Sequence, residues 1–185
     1  MSTTLWKSRL VLPVSAARDH IRGAVDAPIT LLEYGDYECP HCGAAHPIVH
    51  RILDEVGDAV RFAYRHFPLT TIHPHAEPAA EAAEAAGSQG RYWEMHDLLF
   101  ANQRNLAVPQ LVTYAAALSL DVPRFTRETM GHVHLPKISE DFTSGVRSGV
   151  NGTPTFYVNG TRHDGGWDYA SLMSALQQAV FTFGG

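Results

Sequence analysis

Between Pro28 and Phe67 the hydrophobic period changes twice, and this limits what the chain can fold into. "ITLLEY" is apolar on both faces, as a buried central strand is. From Cys42 the apolar residues Cys42, Ala45, Val49, Ile52 and Val56 recur at helical spacing, and Gly57 is a natural stop. "AVRFAYRHF" then alternates around Val60, Phe62 and Tyr64. A strand, a helix and a strand joined this tightly require parallel pairing with a right-handed crossover. Pro47 lies inside the helix, so a kink is expected there.

The rest of the chain sorts around this unit. Nearly every window from about His75 to Arg147 reads helical, and Pro109, Pro123 and Pro136 suit the first turns of helices. Trp93, Met95, Leu98, Leu99 and Phe100 read as core. "TPTFYVNGTRHDG" is a hairpin about Asn159-Gly160, and a helix capped by Asp168 follows. The expected division is an N-terminal arm or edge strand (1–27), a β-α-β part (28–73), a helical insertion (74–148) and a β-β-α part (149–185). "SRLVLPVS" reads as an edge strand or a packed arm more readily than as a secretion signal, since it is short and holds Pro13.

Cys39 and Cys42 are the only cysteines in 185 residues. A structural disulfide closing so short a loop restrains the unfolded chain little. A zinc site needs more ligands, which His46 and His50 could supply. A redox couple fits best, since C-x-x-C beside a β/α pattern is its usual setting. Pro40 suits the first helical position and makes Cys39 the N-cap. The Cys39 thiolate would then gain the N–H groups of His41 and Cys42 and the positive end of the helix. Cys42, one turn in on the buried stripe, would act as the resolving thiol. The His41 imidazole could add charge nearby. On this reading Cys39 is the exposed, attacking sulfur. Glu33 shares a strand face with Ile29 and Leu31. It is either salt-bridged, with Arg65 as partner, or a proton acceptor for Cys42.

These features resemble the thioredoxin superfamily, and the helical insertion narrows the resemblance to DsbA-like thiol:disulfide oxidoreductases. The stretches that carry it are "YGDYECPHC", "RHFPL", "HPHAEPAAEAAEAAG", "GRYWEMHDLLF" and "SGVNGTPTFYVNG". They are similar to a bacterial branch that includes domains fused to sodium/proton antiporters. The resemblance implies an α/β thioredoxin-like fold with an inserted all-helical domain. It also implies a Cys39–Cys42 redox disulfide, a buried acid at Glu33, and a cis Pro154 that sets Thr153 beside Cys39 to receive substrate. Thr153 departs from DsbA itself, which has valine there.

The expected activity is formation, reduction or isomerisation of protein disulfides, with no cofactor and no metal. Partners are protein or peptide thiols and disulfides, with glutathione or a thioredoxin-type system for turnover. A Cys/His metal module and a non-catalytic interaction domain on the same scaffold are the alternatives. The net charge of −5 and the lack of any dense Lys/Arg run argue against nucleic acid. No apolar stretch reaches the ~18 residues of a membrane span. A cytoplasmic location is expected, or a periplasmic one if a leader has been removed.

Overall fold

The computed structural model describes residues 8–182. The first seven residues of the expected N-terminal arm lie outside the described residues. Five strands form one sheet, ordered β1-β3-β2-β4-β5. β2 (Ile29–Gly35) and β3 (Val60–His66) pair in parallel and are joined by α1 (Pro40–Val56) and a short 3-10 turn. β4 (Thr155–Val158) runs antiparallel to β2 on its other side, and β5 (Thr161–Arg162) pairs with β4. Their turn places Asn159 at φ 48° and Gly160 at φ 75°. Two consecutive positive φ values make the hairpin turn that Asn-Gly favours.

Strand alternation divides the molecule. One sheet face carries Ile29, Leu31, Glu33, Phe62, Tyr64, Phe156 and Val158. α1 and α7 (Tyr169–Thr182) pack there, and the same apolar cluster continues into the helical block through Ala79, Met95, Leu99, Leu111 and Phe125. The five helices of that block are α2 (Ala76–Gly87), α3 (Tyr92–Ala101), α4 (Val108–Ala117), α5 (Val122–Met130) and α6 (Leu135–Ser148). They share one core with the sheet and build no separate one. Met95, Leu99 and Phe100 are buried as expected, while Trp93 and Leu98 are only partly so. α1 runs on through Pro47 as a single helix.

The opposite face carries Leu32, Tyr34, Ala63, Arg65 and Tyr157, covered by the N-terminal arm and α6. The arm begins beside the hairpin, where Leu10 N donates to Gly160 O, and Leu10 and Val14 pack on this face. It ends at the far sheet edge as β1 (Ile21–Arg22), antiparallel to β3. Edge strand and packed arm are thus both present, in different segments. Arg65, fully buried, fastens the arm: its guanidinium donates to Asp19 at 2.8 and 3.0 Å, to the Leu12 and Pro13 carbonyls, and to Tyr34 Oη.

This overturns the Glu33–Arg65 salt bridge. Glu33 is in register with Tyr64, so Arg65, one residue on, projects from the other face. Burial works against the Arg65 charge, and the Asp19 hydrogen bonds more than offset it. Asp19→Asn leaves that cation without its anion. It is expected to lower stability by about 3–5 kcal/mol, read as the shift in urea midpoint at unchanged slope.

Candidate active site

β2 ends at Gly35, and Asp36 shapes the turn from this strand into α1. Its buried Oδ1 accepts from Glu38 N at 2.8 Å and Cys39 N at 3.2 Å, and its Oδ2 accepts from Leu69 N at 2.8 Å. The His73 ring, 2.8 Å from Oδ2, is its fourth partner. Cys39 is the N-cap of α1 and Pro40 opens the helix, as the spacing predicts. Gln103, from the loop after α3, closes the turn from outside: its Nε2 donates to the carbonyls of Tyr37 (2.9 Å) and Cys39 (2.8 Å). A Cβ on Gly43 would come within 2.0 Å of Gln103 Oε1, so only glycine admits this clasp. Sequence reasoning missed Asp36 and Gln103. A lone Asp after a strand and a Gln in a loop carry no pattern until the two segments meet in space.

Cys39 is only 4% exposed, which corrects the expectation of an exposed sulfur. Its Sγ lies 3.5 Å from the Thr153 carbonyl oxygen, in the loop before β4, where the Thr153–Pro154 bond is cis. The Cys39 thiol is nevertheless brought down to about 5. The largest cause is a hydrogen bond from the Cys42 thiol; burial opposes it, and the Thr153 hydroxyl and the backbone N–H groups of Cys42 and His41 add to it. The Thr153 hydroxyl is buried and has no other partner, so a Cys39 thiolate is the acceptor within its reach. The His41 side chain is exposed, with its ring 6.1 Å from that of Trp167. The contact that His41 makes with the sulfur is through its backbone N–H.

Cys42 is fully buried, and burial pushes its thiol well up, helped by its hydrogen bond to Cys39 and by the Glu33 charge. Glu33 is 2% exposed, and its Oε1 has no hydrogen-bond partner. Burial first, and then charge on Cys39, raises its carboxyl to about 8. Cys39, Cys42, Thr153 and Glu33 therefore form one electrostatically coupled group. His46 and His50 face Asp97 on α3 and take no part in it. Among the described residues, neither cluster with metal-ligating geometry contains a cysteine.

A family model described as Thioredoxin matches residues 15–178. The chain is 48% identical over 170 residues to the Na(+)/H(+) antiporter NhaA 1 of Salinispora arenicola. That match takes in 92% of this chain and 26% of the relative, so the chain spans about a quarter of that relative's length. Oxidised BdbD from Bacillus subtilis superposes with a TM-score of 0.82 at 19% identity, covering 95% of this chain and 97% of that one. Wolbachia pipientis α-DsbA1 does so with a TM-score of 0.77 at 22% identity, covering 94% and 97%. The chain belongs to the thioredoxin family, and its fold is the one that BdbD and α-DsbA1 share.

The coupling within this group can be measured at two of its members. Thr153→Val removes a donor to the thiolate, so the Cys39 pKa is expected to rise by about one, measured as the midpoint of alkylation rate against pH. Glu33 binds its proton more tightly folded than unfolded, so its stability contribution is complete below the unfolded pKa near 4.5 and is lost as pH rises through about 8. Glu33→Gln is therefore expected to be more stable than the parent by a few kcal/mol at pH 8, with the difference closing toward pH 4.5. Equal pH dependence of the two proteins in urea titrations would refute the assignment.

Proposed function

We propose that this chain is a thiol:disulfide oxidoreductase acting on protein or peptide dithiols and disulfides through Cys39 and Cys42. The observation that carries this reading is the opposite displacement of two neighbouring sulfurs, Cys39 down to about 5 and Cys42 well up. Near neutral pH such a pair holds one ready thiolate and one thiol kept in reserve.

In the oxidising direction a substrate thiolate attacks Cys39 of the Cys39–Cys42 disulfide. The S–S bond breaks, and its electron pair leaves on Cys42. Glu33, whose burial favours the protonated carboxyl, supplies the proton that the buried Cys42 sulfur needs. A second substrate thiolate then attacks the substrate sulfur of the mixed disulfide, and Cys39 departs as a stable thiolate. The substrate has lost two electrons and the enzyme has gained them. In reverse, Glu33 as carboxylate takes the Cys42 proton and the same steps reduce a disulfide; the two in succession isomerise one.

Stabilising the Cys39 thiolate favours the dithiol form, which makes the couple oxidising. The Thr153 backbone beside Cys39 offers an extended edge for a substrate segment. Glutathione or a thioredoxin-type system would turn the couple over in a cytoplasmic setting. The proposal concerns this segment; the activity named for its longer antiporter relatives is a separate property.

Equilibration with glutathione tests the direction. A potential less negative than about −200 mV is expected, where thioredoxin lies near −270 mV. A value at or below the thioredoxin level would make the protein a reductant. Cys42→Ser is expected to trap a mixed disulfide through Cys39 with a dithiol peptide. Intact cysteines that exchange with no peptide would favour the non-catalytic interaction domain.

A further inference from the structure

The redox chemistry leaves unused a group of side chains on α1. His46 and His50 are four residues apart and share a helix face, with ring centroids 4.5 Å apart. Their Nε2 atoms lie 3.0 and 3.1 Å from one atom, Oδ1 of Asp97 on α3. The three candidate ligand atoms all lie within 4.8 Å of one another. A zinc ion at 2.0–2.1 Å from each, in tetrahedral array, would set them about 3.3 Å apart, so both measured spacings need only small adjustment. The side chains are 19%, 37% and 38% exposed, which leaves an ion a route in and room for a water ligand.

Hydrogen bonding alone does not satisfy this arrangement. His50 Nε2 is 2.7 Å from Arg22 Nη1, which only donates. It is also 3.1 Å from Asp97 Oδ1, which only accepts while ionised. A single imidazole nitrogen carries a proton or a lone pair, so one of these contacts is always wrong. Arg22 Nη2 donates to the other carboxylate oxygen, Asp97 Oδ2, at 2.7 Å. A divalent ion among the three atoms lets both nitrogens offer lone pairs and leaves Oδ1 an acceptor.

We infer that His46 Nε2, His50 Nε2 and Asp97 Oδ1 form a binding site for a divalent transition-metal ion, zinc foremost, completed by water. Two imidazoles and one carboxylate suit zinc and its neighbours better than magnesium or calcium, which take oxygen ligands. Any proton on Nε2 moves to Nδ1 or to solvent. Arg22 Nη1 gives up both His50 Nε2 and Asp97 Oδ1, which lies 3.2 Å away, while Nη2 keeps its 2.7 Å bond to Asp97 Oδ2 and the guanidinium stays 4.6 Å from the Trp93 ring centroid. Arg22 is thus both a rival cation and an outer partner that orients the carboxylate. The His46 ring is held by Phe100 and His96, with centroids at 4.8 and 5.4 Å. The bound ion would staple α1, which carries both cysteines, to α3 in the helical block. The second cluster, His66, Glu84 and Asp141, offers no such opening, since all three residues are buried and Arg18, Lys137 and His20 surround its acids.

The test uses the whole chain, stripped with a chelator and held as the Cys39–Cys42 disulfide so that neither sulfur can bind metal. Calorimetric titration with zinc is expected to show one equivalent bound. Zinc at about one hundred times Kd should raise Tm by roughly 5–10 °C. Cobalt in place of zinc should give the visible absorption of a tetrahedral ion with no thiolate charge-transfer band. His46→Gln and Asp97→Asn should each weaken binding by about 10–100-fold, and Arg22→Gln, which keeps all three ligands, should tighten it. No uptake by the disulfide form overturns the proposal. So does uptake unchanged in both ligand variants, or binding seen only after the cysteines are reduced.

Discussion

The Asp36 carboxylate fixes the geometry on which the redox site depends. It receives the backbone N–H groups of Glu38, Cys39 and Leu69 and pairs with the His73 ring. One buried anion therefore sets three things at once: how the chain leaves β2, where α1 begins, and how the segment after β3 approaches. The position of Cys39 at the helix start depends on this knot, because its own N–H is one of the bonds. Gln103 completes the arrangement from the helical block by holding the Cys39 carbonyl. The sheet and the block thus meet at Cys39, and one continuous apolar core joins them.

Much of this is legible locally. The stripe Cys42, Ala45, Val49, Ile52 emerges as the buried side of α1, Asn159-Gly160 as the hairpin turn, and Asp168 as the cap of α7. Each rests on residues a few positions apart. Pairings between segments are not legible. The alternation of Val60, Phe62 and Tyr64 already puts Arg65 on the other face, but only the register sets Glu33 beside Tyr64. Asp19, the true partner of Arg65, lies in an arm whose path no local pattern gives. The Ala/Glu repeat of α2 likewise hides its burial. Small alanines let the helix sink among its neighbours, and the buried Glu81 and Glu84 find partners in His132 and in His20 and His66.

The burial of Cys39 escapes a local reading for a related reason. Helix-start geometry sets the direction of the sulfur, while the loop bearing Thr153 sets how much of it remains open. That loop arrives from more than a hundred residues away. It covers most of the sulfur and also provides the Thr153 hydroxyl, so the segment that restricts access also stabilises the charge.

Glu33 shows why the redox site keeps a destabilising group. An apolar residue at this position would match Leu31 and Phe156 beside it. A carboxyl there costs stability once ionised, and it lacks even a full set of hydrogen bonds. The cost falls where the charge on Cys39 is already present, since each anion raises the other's proton affinity. Between about 5 and about 8 the group holds its negative charge on Cys39 and a proton on Glu33. That division places an acid next to Cys42, the sulfur that cannot bear charge, and leaves the charge on the sulfur that can. A salt bridge to Glu33 would remove this division, because a paired carboxylate would surrender its proton. Sending Arg65 to the opposite face of the sheet is thus part of what keeps the acid in place.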